Sequence, residues 1–334
     1  MIDIRQQALS QWFAKQLNLA TIELITVSAD ASFRRYFRYE QDTSSYILVD
    51  APPSTEKNQE FIDFALSYAE QGIDVPRVIY SDIEQGFLCL TDLGDQTLLP
   101  LLLDGELSWY KLAIKQLDLI AKVSPRQPQA FYDNAFFSLE LGLFEQWFCH
   151  ELLQQPEQVC QQHHIDSCFS QLINNAISQP QVSVHRDFHS RNIMVRDKQS
   201  LAVIDFQDTV TGPLTYDLAS LLKDCYFKLP LSVHDELLVQ AFEQFTQSQV
   251  LDCSFSQFKT WYDLMALQRH LKVCGIFSRL SIRDAKHDYL KDLPLVIEYI
   301  IETCRQYPQM KPLLDLFEQA LLPALVQRNI LCTQ

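Results

Sequence analysis

Hydrophobic positions fall into two regimes along the chain. Residues 2–17 place Leu9, Trp12, Phe13 and Leu17 on one side of a helix, the 3.6-residue period of an amphipathic element. Strand-like stretches follow over 21–27, 33–39 and 45–49. A helix over 56–71 carries Phe61, Ile62, Ala65, Tyr68 and Ala69 at core spacing. Ser54 or Thr55 is its expected cap, and Glu56 suits the positive end of the helix dipole. Residues 75–80 and 86–90 read as two more strands. Thr91-Asp92-Leu93-Gly94-Asp95 then breaks the pattern, and helical spacing dominates afterwards, over 107–124, 138–153, 166–177 and 256–279. A switch from strands to helices marks a lobe boundary. The expected fold is therefore α+β. A small antiparallel-sheet lobe with one main helix spans 1–93, and a larger, mostly helical lobe spans 94–334, the two sharing a deep cleft.

One stretch interrupts the helices. Val184-His185-Arg186-Asp187-Phe188-His189-Ser190-Arg191-Asn192 leads into two short apolar runs, 193–195 and 201–204, separated by the polar residues 196–200. That pattern is a β-hairpin. A hairpin sets the residue before its first strand beside the residue after its second, so Asn192 and Asp205 are expected side by side, with Asp187 on the loop just upstream. An amide oxygen and a carboxylate converging on one point suit a hard cation such as Mg²⁺, which keeps few protein ligands and takes the rest from phosphate and water. Asp187 would face a substrate hydroxyl. A metal against phosphate charge and an acid that orients the nucleophile are the parts that phosphoryl transfer requires.

The loop resembles that of the kinase-like phosphotransferases, the superfamily of aminoglycoside phosphotransferases, choline kinases and protein kinases. The aminoglycoside phosphotransferase branch shows H-x-D-x-x-x-x-N followed by I-D-[WF]-x-x, matched here by Ile204-Asp205-Phe206-Gln207-Asp208. Its downstream P-x-x-Y-D-L-A is present as Pro213-Leu214-Thr215-Tyr216-Asp217-Leu218-Ala219. Further stretches sharpen the likeness: Asp30-Ala31-Ser32-Phe33-Arg34-Arg35-Tyr36-Phe37-Arg38, Asp50-Ala51-Pro52-Pro53, Thr91-Asp92-Leu93-Gly94 and Gln268-Arg269-His270-Leu271-Lys272-Val273. Together they resemble the anomeric N-acetylmuramate/N-acetylglucosamine kinases of bacterial cell-wall recycling.

The resemblance implies a two-lobed protein-kinase-like fold, with ATP and Mg²⁺ as cofactors and a small-molecule amino sugar as acceptor. It implies Asp187 as the catalytic carboxylate, with Asn192 and Asp205 on metal. Arg191, or Arg186, would offset charge near the transferred phosphoryl group, and Asp217 would brace the loop. Ser32, Phe33, Arg34, Arg38 and Lys57 are candidates to cover the nucleotide phosphates. Thr91, Asp92 and Leu93 form the connector whose backbone would meet the adenine edge. Asp208, Glu140, Arg269 and His270 are candidates on the acceptor side.

Two departures matter. The small-residue turn 28–32 contains no glycine, and no Lys lies on the strand where kinases carry their phosphate-binding lysine; Asp50 sits near that place. Lys57 or an arginine of the preceding hairpin is the expected substitute, with Glu60 as the candidate ion-pair partner. These departures motivate one alternative, a non-catalytic nucleotide-binding pseudokinase. The other alternative is a kinase for an aminoglycoside, choline or another amino alcohol. A protein kinase is disfavoured because Gln207 stands where Asp-Phe-Gly has its glycine.

Composition narrows the partners. A formal net charge of -15 and a pI near 4.9 repel nucleic acid and anionic membranes. Nine cysteines without C-x-x-C spacing signal no zinc site, and they suit reduced thiols and a cytoplasmic location. Within this acidic chain, Gln268 to Lys272 and Arg279 to Lys286 form the densest basic zone. It reads as a charged solvated face, although a polar group inside an apolar helical pattern is unexpected for surface alone.

Overall fold

The computed structural model describes residues 3–28, 34–41, 44–197 and 200–331. In chain order the principal elements begin with α1 (Ile4–Gln16), β1 (Ile25–Ser28), β2 (Arg35–Gln41), β3 (Ser44–Asp50), α2 (Asn58–Glu70), β4 (Val78–Asp82) and β5 (Phe87–Thr91). There follow α3 (Trp109–Ile120), α4 (Asn134–Leu143), α5 (Asp166–Ile177), β6 (Gln181–Val184), β7 (Ile193–Asp197), β8 (Ser200–Val203) and β9 (Val210–Pro213). Last come α6 (Thr215–Leu222), α7 (Phe255–Arg283) and α8 (Leu293–Gln306). The mixed α+β class expected from the pattern holds.

The chain divides into two compact units, and they are not the two contiguous segments expected. One comprises Met1–Leu98, Val123–Pro128 and Asn192–Asp208; the other comprises Leu99–Lys122, Gln129–Arg191 and Thr209–Gln334. The hairpin β7–β8 thus belongs with the sheet rather than with the helices.

In the first unit a five-stranded antiparallel sheet runs β1-β2-β3-β5-β4. Leu9 and Phe13 of α1 pack on its aromatic face with Phe37, Tyr39, Leu48 and Phe87. Two arginines fasten α1 and β2 to the central strand: Arg5 and Arg35 both grip the buried Asp50 carboxylate, each with a contact at 2.5 Å. Asp50 is therefore a structural anchor of the sheet. Gly86 is required where it stands. Its φ is +74°, and a Cβ there would lie 2.1 Å from the Ala51 carbonyl, whose residue receives the Gly86 oxygen at its own N–H, 2.8 Å away.

Two expectations for this unit need correction. The strand expected over 21–27 starts only at Ile25, because Ser10 Oγ donates to the Ile22 carbonyl at 3.0 Å and ties that segment to α1. Helix α2 starts at Asn58 without a side-chain cap. The Thr55 hydroxyl instead donates to the Pro52 carbonyl, and Asn58 Nδ2 donates to that of Ala51.

The second unit is helical, with a two-stranded β6–β9 ribbon. Its axis is α7, whose residues 262–275 are all buried. Gln268, Arg269, His270 and Lys272 are among them, so the polar group of this helix points inward. The helix expected over 138–153 is two pieces, α4 and a π-helical segment Phe144–Leu152. No helix among the described residues is long and apolar enough to cross a membrane.

Candidate active site

The hairpin forms as its spacing predicts. Ile193 pairs with Val203, Met194 with Ala202 and Val195 with Leu201, and Ile204 N donates to the Asn192 carbonyl at 3.1 Å. Asn192 Nδ2 accordingly lies 3.3 Å from Asp205 Oδ2. Asp205 adopts φ +66°, a left-handed geometry that Asp tolerates better than most residues, and its side chain is exposed. Gln207 Nε2 donates to Asp205 Oδ1 at 2.7 Å and steadies the carboxylate. Next to it, Phe206 is fully buried and stacks on Phe61 and Tyr68 of α2 at 5.0 and 5.5 Å. The hairpin is further fixed by Val203 N to the Asp74 carbonyl and Val195 N to that of Gln96, both at 2.8 Å.

Asn192 turns its amide nitrogen to the exposed carboxylate; with the amide turned over, its oxygen and that carboxylate form a hard donor set that suits a divalent cation taking its other ligands from phosphate and water. No group of three or more His, Cys, Asp and Glu side chains suited to a metal occurs among the described residues.

Arg34 sits in the same unit, buried, with Nε 3.0 Å from Glu56 Oε2 and its guanidinium 5.0 Å over the Phe61 ring. Tyr36 bonds Arg34 and feels the Asp205 charge; burial dominates and pushes its hydroxyl up to about 12. Arg34 thus supplies a buried cation in an ion pair near Asp205. Its partner is Glu56, a residue that sequence reasoning placed only as a dipole charge. Glu60, the expected partner, meets the other candidate, Lys57, at 3.2 Å, and both side chains are exposed. Arg38 is held by Asp92 at 2.6 Å and Asp95 at 2.7 Å. Asp92 also accepts from Ser45 Oγ at 2.5 Å and Gly94 N at 2.8 Å. Thr91 Oγ1 accepts from Arg77 N at 2.9 Å, and Leu93 packs on Met194 and Ala202. Asp208 is exposed. Ser32 and Phe33 lie outside the described residues.

In the helical unit the loop carrying Asp187 is held by two carboxylates. Asp217 accepts from His185 N at 2.6 Å and from Arg186 N at 2.9 Å, one on each oxygen. Asp224 Oδ2 accepts from Ser190 N at 3.0 Å and Ser190 Oγ at 2.6 Å. Between these clamps, Arg186 takes φ +77°, a conformation that costs a residue bearing a Cβ about 1 kcal/mol. Asp187 is half-buried. Burial alone would raise its carboxyl, but the charges of Lys272, His189, Arg186 and His185 outweigh it and hold Asp187 below the usual value. Burial does win at Asp217, which rises to about 6 against the lowering influence of His185 and the two backbone donors. Arg191 lies 3.5 Å above the Tyr226 ring.

The acceptor-side candidates are buried. Glu140 accepts from Gln268 Nε2 at 3.2 Å, meets Lys272 Nζ at 2.7 Å and bonds the Tyr132 hydroxyl. Arg269 is 5% exposed, with Nη1 4.0 Å from Cys225 Sγ. His270 is fully buried; its Nε2 meets the Lys223 carbonyl at 2.9 Å and its ring stacks on Tyr299. Burial drives its pKa down to about 3, so it is neutral at pH 7. Sequence reasoning missed Asp224 and Tyr132 and passed over Lys272 within a motif it had singled out. Only Asp224 left a trace, in lying seven residues beyond Asp217 just past the same helix.

A twisted antiparallel sheet carrying an Asn/Asp hairpin, together with a doubly clamped H-R-D loop among helices, defines a kinase-like phosphotransferase. A solved ADP-bound aminoglycoside phosphotransferase shares the fold: it covers 90% of this chain and 99% of its own, with a TM-score of 0.59 at 14% identity. The chain belongs to the phosphotransferase enzyme family, which matches residues 23–250. Two similar relatives are the N-acetylmuramate/N-acetylglucosamine kinases of Pseudomonas putida and Pseudomonas aeruginosa. The first is 34% identical, covering 95% of this chain and 97% of its own; the second is 36% identical, covering 88% and 87%.

Proposed function

We propose that the protein is an ATP- and Mg²⁺-dependent kinase that phosphorylates the anomeric hydroxyl of N-acetylmuramate and N-acetylglucosamine. The observation that carries the reading is the Asn192–Asp205 pair at 3.3 Å, set five residues beyond an ionised Asp187. The likeness to curated amino-sugar kinases over nearly the whole chain supports the acceptor.

Asn192 and Asp205 would hold Mg²⁺, which when bound neutralises phosphate charge. Arg34, braced by Glu56, would add a fixed positive charge toward the nucleotide in the role of the absent strand lysine. Asp187 accepts the acceptor's hydroxyl proton and aligns its oxygen. Its lowered pKa fits the task, because the proton leaves late in a loose transition state and positioning dominates. Asp217 and Asp224 fix the loop, so Asp187 does not have to be ordered at each turnover.

The test is acceptor-dependent ATP consumption with a panel of N-acetylated sugars, aminoglycosides and choline. Asp187→Asn should lower kcat by about 10²- to 10⁴-fold while leaving nucleotide affinity within a few-fold. Equal activity in the variant would remove Asp187 from its role. ATP consumption only with aminoglycosides or choline would reassign the acceptor, and none with any acceptor would leave a nucleotide-binding pseudokinase.

A further inference from the structure

We infer that Arg186 is the residue that recognises a carboxylate on the acceptor, and so sets the preference between an acidic and a neutral amino sugar; this rests on the amino-sugar reading above. At φ +77° glycine would be free of strain and arginine is not. The Asp217 bond to Arg186 N, at 2.9 Å, comes from the main chain and would serve a glycine equally. What a glycine could not supply is the side chain, so the strain is explained if the guanidinium is used.

The surroundings say what for. The guanidinium lies 5.0 Å over Phe136 and 5.6 Å over Tyr132, an aromatic floor that holds it flat. The Glu140 carboxylate is 3.5 Å from it and already engaged more closely by Lys272 at 2.7 Å, by Tyr132 and by Gln268. Lys272 in turn donates to the Tyr216 hydroxyl at 2.8 Å. Glu140 and Asp187 set two carboxylates against the two cations, Arg186 and Lys272, and the more accessible of the two cations is Arg186. The Arg186 side chain is 20% exposed, against 10% for Lys272 and 5% for Glu140. Arg186 Nε is a buried donor with no hydrogen-bond partner among the described residues. A planar guanidinium on an aromatic surface, with part of its side chain accessible, matches a carboxylate. It also adjoins Asp187 in the chain, the group assigned to the acceptor hydroxyl. N-acetylmuramate carries such a carboxylate on its lactyl ether; N-acetylglucosamine does not.

The experiment compares kcat/KM for N-acetylmuramate, its methyl ester and N-acetylglucosamine, in the wild type and in Arg186→Gly and Arg186→Lys. Glycine suits the local backbone, so folding should survive, and a thermal melt checks it. In the wild type the ester should lose about 10- to 100-fold relative to the acid, the range for a hydrogen bond to a charged group. Arg186→Gly should treat acid and ester alike, and Arg186→Lys should recover part of the difference. Equal losses for all three acceptors in Arg186→Gly, as expected if Arg186 served the transferred phosphoryl group, would overturn the inference while leaving the amino-sugar reading standing. Failure of the wild type to phosphorylate any of the three would overturn both.

Discussion

Asp187 and Asp217 lie within one loop assembly, yet their environments push them in opposite directions. Four basic side chains outweigh burial at Asp187 and hold it ionised, whereas burial carries Asp217 up to about 6. The consequence is a separable pH effect. Each Asp217 oxygen accepts one backbone N–H, so protonation below about pH 6 takes one acceptor away and loosens the loop. We expect kcat to fall as pH drops through about 6, before Asp187 titrates. The stability contribution of Asp217 has the opposite sign. A carboxyl raised in the folded state stabilises folding fully below its unfolded value, and that contribution is lost as pH rises through about 6. A pH–kcat profile alongside melts at the same pH values would show activity falling while this group favours folding. An acid limb lying well below pH 5 would remove Asp217 from control. These two carboxylates were legible in the sequence. Asp224, Tyr132 and the Glu56 partner of Arg34 were not: Asp224 meets Ser190 34 residues away and Tyr132 meets Tyr216 84 residues away, and no local spacing records such pairings.

The elements were legible in proportion to how local their causes are. Hairpin β7–β8 was readable because its register follows from two apolar runs and one polar turn, and its strands lie within a residue or two of the expectation. Helix α7 was only half readable. Its apolar spacing showed a helix, but the inward direction of Gln268, Arg269, His270 and Lys272 depends on Glu140, Cys225 and Lys223 waiting in other elements. The same helix makes the tightest backbone approach of the helical unit. A Cβ at Gly275 would lie 2.5 Å from the Leu143 carbonyl carbon and 2.6 Å from its oxygen, at the point where α4 gives way to the π-helical segment. Neither backbone yields cheaply, and overpacking of this kind costs about 1–3 kcal/mol. Gly275→Ala should therefore lower Tm by several degrees with KM values little changed; a melt identical to the wild type would show that the two helices are free to part.

At the scale of the molecule, the expectation of a sheet unit followed by a helical unit was right in class and too simple in connectivity. The pattern of strands then helices places the hairpin with the helices among which it occurs in sequence. The contacts of Phe206 with α2, and of β7 and β8 with residues 74 and 96, place it with the sheet. The candidate metal pair is therefore carried by the sheet unit and the candidate base by the helical one, and the five-residue span from Asp187 to Asn192 joins them in the chain. The acidic surface of the molecule does not select the acceptor, since it suits a polycation as well as a sugar; the accessible Arg186 guanidinium, next to Asp187 in the chain, favours an acidic acceptor. The most direct measurement is the ³¹P and ¹H NMR spectrum of the product formed from ATP, Mg²⁺ and N-acetylmuramate. The account predicts a phosphate coupled to the anomeric proton; a phosphate on any other oxygen, or transfer to an aminoglycoside hydroxyl alone, would contradict it.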